Sequence, residues 1–490
     1  MAGGPPGTAS VRTLGSRQLV ALLPAEVRGR PGYRGLAQAI GTLILDGRIS
    51  LRVRLPAERE LAEVLAASRA TVTAAYDLLR EGGYARSRRG AGTWTALPEG
   101  HRPTGVHALT GEVDGEVIDL AIATMGAPDA VFEPAVAWAA TRLVEFSATP
   151  GYHPYGLHEL RAEIAARYTR RGLPTRADQI LVTSGAQQGL TLVLGLLCRA
   201  GDRVMTENPT YANALDALRQ AGLRNASIAV SQDGWDLDVA ESTLRQVAPR
   251  VVYSIPDFHN PTGLLMPPEQ RLRLLAATRR VGAWLVVDET MAELALDTAA
   301  PGPTAALAAR GAGDHVLTLG SLSKTHWGGL RVGWIRATGK LVTELAAVRV
   351  TADMAGSVFD QLLAVALLRG MDDVLPGRLR RLREQRTALL GALERHAPAW
   401  SWRTPPGGLS LWVDLGRPVS AALAQRARGV GVRISGGNRF GVDTGTFEHR
   451  VRLPYTLPGD RLEEGVLRLA RAFHDGLPLT PAQPTPSWVA

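Results

Sequence analysis

Three helical registers of apolar residues stand near the start of the chain. Tyr33–Ile49 carries Leu36, Ile40, Leu43 and Ile44 at spacings that share one face of a helix. Leu55-Pro56-Ala57-Glu58-Arg59 opens a second, with Pro56 just ahead of it and Leu61 and Leu65 turned inward. Ser68 suits the N-cap of a third, because its hydroxyl can accept from the free amides of the first turn. That helix is predicted to run to about Gly82 and to bury Val72, Tyr76 and Leu79. Only Ala66, Ala67 and Ser68 separate the second and third, which is helix-turn-helix spacing. A small basic hairpin follows over Ala85–Thr95, with Gly90 and Gly92 at its turn.

The pattern then changes. Leu97–Gly115 holds Pro98, Pro103 and four glycines with little periodicity, and reads as a linker. From Val117 onward helical segments alternate with apolar strand-like ones: Gln179–Thr183, Arg203–Thr206, Val251–Ile255, Trp284–Val287 and Val316–Leu319. Alternation over this length predicts a mainly parallel α/β sheet. The organisation expected is a flexible arm over 1–27, a DNA-binding-sized helical domain over 28–96 and a linker over 97–116. A large α/β domain over 117–477 and a disordered proline-rich tail over 478–490 complete it.

Composition sharpens this division. Residues 1–96 hold 14 Arg against 7 Asp and Glu, so most of the net charge of +9 lies in the first fifth of the chain. Such a concentration suits a nucleic-acid-binding arm. The single cysteine, Cys198, excludes an internal disulfide and reads as a small hydrophobe in an apolar run. No apolar run is long enough to cross a bilayer, the first 16 residues lack the apolar segment of a secretory signal, and a soluble cytoplasmic protein is expected. No clustered ligand set suggests a metal.

Lysine usage is the most informative number. Of the 55 Lys and Arg residues only Lys324 and Lys340 are lysines. Where arginine meets every ordinary need for positive charge, a retained lysine suggests work that needs an amine able to lose its proton, such as Schiff-base formation. Lys340 lies in the polar stretch Ala337-Thr338-Gly339-Lys340 and reads as a surface residue, whereas Lys324 ends Ser321-Leu322-Ser323-Lys324.

The ends of the predicted strands carry the remaining candidates, where α/β sheets gather ligands. Thr183-Ser184-Gly185-Ala186-Gln187-Gln188-Gly189 is a small-residue turn entering a helix, able to offer amides and a positive dipole to a phosphate. Glu207-Asn208-Pro209-Thr210-Tyr211 supplies an aromatic ring, and His259-Asn260-Pro261-Thr262-Gly263 an amide side chain. Asp288-Glu289 puts a carboxylate at a strand end, and Arg331 stands seven residues after Lys324.

Two resemblances follow. Leu55–Leu61, Ser68–Leu79 and Arg88–Thr93 resemble the winged helix-turn-helix of GntR-type transcription factors. This implies DNA contacts from Arg59, Ser68, Arg69, Thr71, Arg89 and Gly90, with Arg69 reading base edges and Arg59 and the hairpin holding phosphates. Several GntR proteins carry a second arginine where this chain has Thr73, so their operators cannot be transferred to it.

The strand-end residues of 117–477, in their order, resemble the fold-type I aminotransferases that bind pyridoxal 5'-phosphate (PLP). The resemblance implies a Schiff base (aldimine) at Lys324, Asp288 on the pyridine nitrogen, Asn260 on the phenolic oxygen and Tyr211 stacked on the ring. It also implies a phosphate site from Gly185, Ala186, Gln187, Ser321 and Arg331, with Tyr152 reaching the phosphate of a partner in a homodimer. Arg452 matches the arginine that clamps a substrate carboxylate. The usual tyrosine two or three residues past the aspartate is missing: Thr290 and Met291 stand there, so the hydrogen bond to the phenolic oxygen is expected to be lost or to pass through water.

Together the two halves resemble the MocR-type regulators, a winged helix joined to an aminotransferase-like domain with a smaller C-terminal α/β subdomain. The resemblance implies a DNA-binding regulator that senses PLP, or an amine or amino-acid effector reacting with it, with at most weak transaminase activity. The alternative is an active PLP-dependent aminotransferase with an appended autoregulatory DNA-binding domain.

Overall fold

The three apolar registers fold as helices. In the computed structural model, residues 13–29, 31–88, 92–98, 117–308 and 313–474 are described. They fall in two compact units, Met1–Gly105 with Gly441–His449, and Val106–Phe440 with Arg450–Ala490.

In the first unit, α1 is Ser16–Leu22, α2 Tyr33–Leu45, α3 Glu58–Val64 and α4 Arg69–Glu81. Ser68 caps α4 as expected, its Oγ accepting from the amide of Thr71 at 3.0 Å. Tyr76 is buried and donates from its hydroxyl to the carbonyl of Pro56 at 3.0 Å, which fixes the entry into α3 against α4. Strands β1 (Ala85–Arg88) and β2 (Gly92–Thr95) pair antiparallel as the wing, with Ala85 opposite Thr95.

One expectation about this unit changes. Residues 13–27 are no loose arm: α1 packs on α3, and Leu14, Leu19 and Leu23 join Leu36, Ile40 and Leu61 in a single core. Leu19 and Leu23 are fully buried, so this short helix is held by tertiary burial rather than by its own helix propensity. Residues 1–12, the wing turn with Arg89 and Gly90, most of the linker and the tail over 478–490 lie outside the described residues.

The unit also takes in the distant segment Gly441–His449. Leu45 accepts there from the amide of Phe447 at 2.7 Å, and Asp46 pairs with His449 Nε2 at 2.9 Å.

In the second unit, β3 is Ile118–Leu120, β4 Ile180–Thr183, β5 Arg203–Asn208, β6 Arg224–Ser231 and β7 Gly234–Trp235. Then come β8 (Val251–Ser254), β9 (Trp284–Asp288), β10 (Val316–Ser321) and β11 (Gly333–Arg336). The last four are β12 (Ser401–Trp402), β13 (Ser410–Asp414), β14 (Val432–Gly436) and β15 (Arg450–Pro454). The main sheet has the order β4-β11-β10-β9-β8-β5-β6-β7. Pairing is parallel through β10, β9, β8, β5 and β6, while β11 and β7 run antiparallel to their neighbours. Its strands are buried on both faces, as a parallel sheet under helices requires, with Leu285 and Val287 facing one core and Val286 and Tyr253 the other.

The smaller sheet, β12-β13-β15-β14-β3, recruits β3 from far up the chain: Ile118 pairs parallel with Val432. The subdomain is therefore not wholly C-terminal. Its core is closed by the helices Met371–His396 and Gly459–His474.

Candidate functional site: the strand ends of the large sheet

The main sheet brings the sequence-distant candidates together through its parallel register. Asp288 is the last residue of β9, and Ser321, the last of β10, leads directly into Lys324. Lys324 is half-buried, and its Nζ donates to the carbonyl of Ala123 at 2.9 Å. Burial first, and then the charge of Arg452, push its pKa down to about 7, against the opposing pull of Asp288. A large share of this amine is thus unprotonated near neutral pH, the form a nucleophilic lysine needs.

The anion cradle lies where β4 turns into the helix Ala186–Leu197. Gly185 sits at φ +91°, and a Cβ there would meet Arg331 Nη2 at 2.7 Å, so glycine is required for the guanidinium to come this close. Arg331 itself holds the left-handed φ of +51° and donates from Nη2 to the carbonyl of Ser184 at 2.7 Å. The first amides of the helix, those of Ala186 and Gln187, open beside it. Ser321 Oγ donates to the carbonyl of Val332 at 3.1 Å, which ties β10 to the segment carrying Arg331.

Arg452 on β15 is completely buried, and burial pushes its pKa down to about 10. Its Nη1 donates to Asn260 Oδ1 at 3.1 Å and its Nη2 to the carbonyl of Ala121, while Nε is buried without a partner among the described residues. The Phe440 ring lies 5.2 Å from the guanidinium, and the Phe440 carbonyl accepts from the amide of Thr210, next to Tyr211. The hydroxyl of Tyr211 accepts from Asn213 Nδ2 at 2.9 Å, and burial pushes its pKa up to about 12. Tyr152 is not gathered into this cluster; it stands 63 % exposed.

Thr290 and Met291 do not replace the absent tyrosine. The Thr290 hydroxyl donates to Asp288 Oδ1 at 2.6 Å, and its amide to the same oxygen at 3.0 Å. Met291 is buried in the smaller core beside Phe258. The Thr290 hydroxyl is thus engaged within the Asp288 turn, in keeping with the expectation that a hydrogen bond from this position to a phenolic oxygen is lost or passes through water.

A residue that the sequence reading passed over completes the picture. Tyr253 on β8 donates from its hydroxyl to Asp288 Oδ2 at 2.7 Å. The signal was present: Tyr253 pairs with Val286, two residues before Asp288 on the neighbouring parallel strand, so both side chains share a sheet face. That pairing becomes visible only once strand order is known.

In the first unit, Arg69 begins α4, is exposed and makes no hydrogen bond or ion pair among the described residues. Arg59 is also exposed, its only partner there being Glu63 at 3.2 Å one turn on. Ser68 and Thr71 bond one another at 2.8 Å, and Thr73 donates to Glu58 Oε2 at 2.7 Å, joining α4 to the start of α3. Thr73 is thereby a brace between the two helices.

Comparison with known proteins agrees with this arrangement. Residues 32–94 match the bacterial regulatory proteins of the gntR family, and residues 116–469 match aminotransferase class I and II. The probable rhizopine catabolism regulatory protein MocR of Rhizobium meliloti is 30% identical over 434 residues, covering 83% of this chain and 86% of the relative. The chain belongs to the MocR-type regulators. The HTH-type transcriptional regulator YisV of Bacillus subtilis is 28% identical over 426 residues, 81% of this chain and 87% of its own length. Among solved structures, LysN, the α-aminoadipate aminotransferase of Thermus thermophilus complexed with N-(5'-phosphopyridoxyl)-L-leucine, superposes with a TM-score of 0.68 at 33% identity. That match covers 73% of this chain and 92% of LysN.

A MocR-type chain is a transcriptional regulator whose GntR-type winged helix binds DNA and whose aminotransferase-fold domain takes PLP as cofactor. The residues at the strand ends fit that group: a partly neutral, half-buried lysine, a glycine cradle closed by Arg331, and a carboxylate at the end of β9. No helix among the described residues is long and apolar enough to cross a membrane.

Proposed function

We propose that this regulator uses its aminotransferase fold to sense PLP together with an amino acid or amine, and that it turns such ligands over slowly at most. Lys324 is the residue that links to the cofactor, Asp288 receives the ring nitrogen, and Asn260 the phenolic oxygen. Tyr211 covers the ring, while Gly185, Ala186, Gln187, Ser321 and Arg331 hold the phosphate. When bound, PLP supplies an aldehyde for amines and an electron-withdrawing ring.

The observation that carries the reading is the placement of the hydroxyls. Thr290 is turned to Asp288 and Met291 is in the core, so neither donates toward the phenolic oxygen. A pocket built this way can hold the cofactor and exchange its amine partner. It lacks one of the donors that tune the released Lys324 for rapid proton transfer.

Arg452 supports a ligand with a carboxylate, because its buried Nε is without a partner among the described residues and its side chain is already oriented by Asn260 and Phe440. An effector shifts DNA binding only if it favours one arrangement of the protein over another. Release of Lys324 from the cofactor supplies such a difference. The exposed Tyr152 suits a homodimer in which it reaches a second copy, and a DNA-binding protein of this kind works in the cytoplasm.

The deciding experiment combines turnover with DNA binding. The PLP-loaded protein is mixed with single amino acids and a keto acid, and its affinity for operator DNA is followed in parallel. Spectral change with altered DNA affinity and no sustained turnover is expected. Sustained turnover at ordinary enzyme rates, with DNA affinity unmoved, would instead establish the working aminotransferase. The otherwise complete set of Lys324, Asp288 and Arg452 keeps that second reading in view.

A further inference from the structure

Asp288 receives three hydrogen bonds among the described residues. Oδ1 accepts from the hydroxyl and the amide of Thr290, at 2.6 and 3.0 Å, and Oδ2 accepts from the hydroxyl of Tyr253 at 2.7 Å. Tyr253 is rooted in β8 at 2 % exposure, in register with Val286 of β9 and on the same core face. Its hydroxyl has no other partner among the described residues. Burial, with the negative charge of Asp288 next, holds that hydroxyl well above the usual tyrosine range, so it remains a donor at every working pH.

We propose that Tyr253 is a positioning residue for the cofactor, fixing the Asp288 carboxylate as a singly oriented acceptor for the pyridine nitrogen of PLP. The inference rests on the reading that Asp288 faces that nitrogen. A buried carboxylate with donors on one oxygen only can rotate, or take up a proton and become a donor itself. A hydroxyl donating to each oxygen closes off that rotation. Oδ1 already accepts two donors and Oδ2 only one, so Oδ2 keeps lone-pair capacity for one further donor, and a protonated ring nitrogen is the donor that completes the set.

The two hydroxyls are not equivalent. Without the Thr290 hydroxyl, Oδ1 keeps the backbone amide. Without the Tyr253 hydroxyl, Oδ2 keeps no protein donor among the described residues. This pocket therefore carries its tyrosine hydroxyl on the carboxylate under the ring nitrogen, and has none at the tyrosine position after Asp288. Loss of Tyr253 makes the ring nitrogen less fully protonated and the ring a weaker electron sink. The cofactor–lysine nitrogen then becomes more basic.

The test uses full-length PLP-loaded protein and the variants Tyr253→Phe, Thr290→Val, Thr290→Ser and Asp288→Asn. The readouts are the pH midpoint of the visible cofactor absorption band, the PLP dissociation constant and the unfolding midpoint without PLP. Tyr253→Phe should keep the band, move its midpoint upward by about half a unit or more, and weaken PLP about tenfold, as loss of one hydrogen bond to a charged group does. Thr290→Val should move it less, and Thr290→Ser should behave as wild type. If Tyr253→Phe lowers only the unfolding midpoint without PLP and leaves band and affinity unchanged, the tyrosine is merely structural and the proposal falls. If Asp288→Asn also leaves the band unmoved, the underlying placement of Asp288 under the ring nitrogen fails, and the proposal with it.

Discussion

Arg452 Nη1 and Asn260 Oδ1 lie 3.1 Å apart, joining the residue expected to hold an effector carboxylate to the residue expected to hold the cofactor. One sits on β15 of the smaller sheet and the other follows β8 of the larger. A ligand that pulls on Arg452 therefore pulls on a side chain at the cofactor edge. Arg452→Gln is expected to weaken binding of amino acids to the PLP-loaded protein about 100-fold, in line with loss of a paired bond to a charged group. Amines without a carboxylate should bind as before. Titration calorimetry with an amino acid and its decarboxylated analogue separates the two. Equal losses for both would remove Arg452 from carboxylate recognition.

Lys324 sets a pH dependence of its own. Its amine titrates at about 7 in the folded protein against 10.5 in the unfolded chain, chiefly because of burial. The unfolded state then holds the extra proton between those values, so this residue makes stability rise with pH across that window. Lys324→Met should raise the unfolding midpoint of PLP-free protein below pH 7, with a gain that shrinks toward pH 10.5. In wild type the rate of PLP uptake should climb with pH and level off with a midpoint near 7. Stopped-flow absorbance measures the rate. A flat profile from pH 6 to 9 would contradict a half-buried, partly neutral lysine.

Glu289 gives the opposite sign. Burial first, then the nearby Asp257, push its pKa up to about 7, with Arg171 pulling the other way. The folded state thus holds an extra proton between about 4.5 and 7, and stability falls as pH rises through that range. Glu289→Gln keeps an oxygen able to accept from the amide of Thr304, which the carboxylate does at 2.8 Å. Its unfolding midpoint should match wild type near pH 4.5 and exceed it at pH 8. Calorimetry at the two pH values decides the matter.

The exposed arginines of the winged helix should separate by role. Arg69→Ala is expected to relax preference at one base pair, where a bidentate arginine–guanine contact is worth about 1–3 kcal/mol. Arg59→Ala should weaken all duplexes alike and reduce the slope of log affinity against log salt by about 1. Anisotropy on a selected duplex and its single-base variants, at several salt concentrations, measures both. A uniform loss from Arg69→Ala would make it a phosphate contact.

Much of this was legible in the chain because it is local. Helix caps, apolar periodicity and short strand-end motifs lie within a few residues of one another, so Ser68, the α4 face and the Gly185 turn could be read directly. The scarcity of lysine marked Lys324 for the same reason: composition needs no fold. Residues 13–27 were misjudged because three leucines in a short helix are too weak a pattern to outweigh the Gly- and Pro-rich stretch before them.

Tertiary structure decided what depends on strand order and burial. It took β3 into a sheet with β14, more than 300 residues later, and set Tyr253 over Asp288 through parallel register. It also directed the Thr290 hydroxyl to the Asp288 carboxylate. The kinds of groups available were written in the sequence. Which oxygen each hydroxyl reaches, and how far burial drags the Lys324 amine toward neutrality, are properties of distances and desolvation that exist only after the sheet has formed.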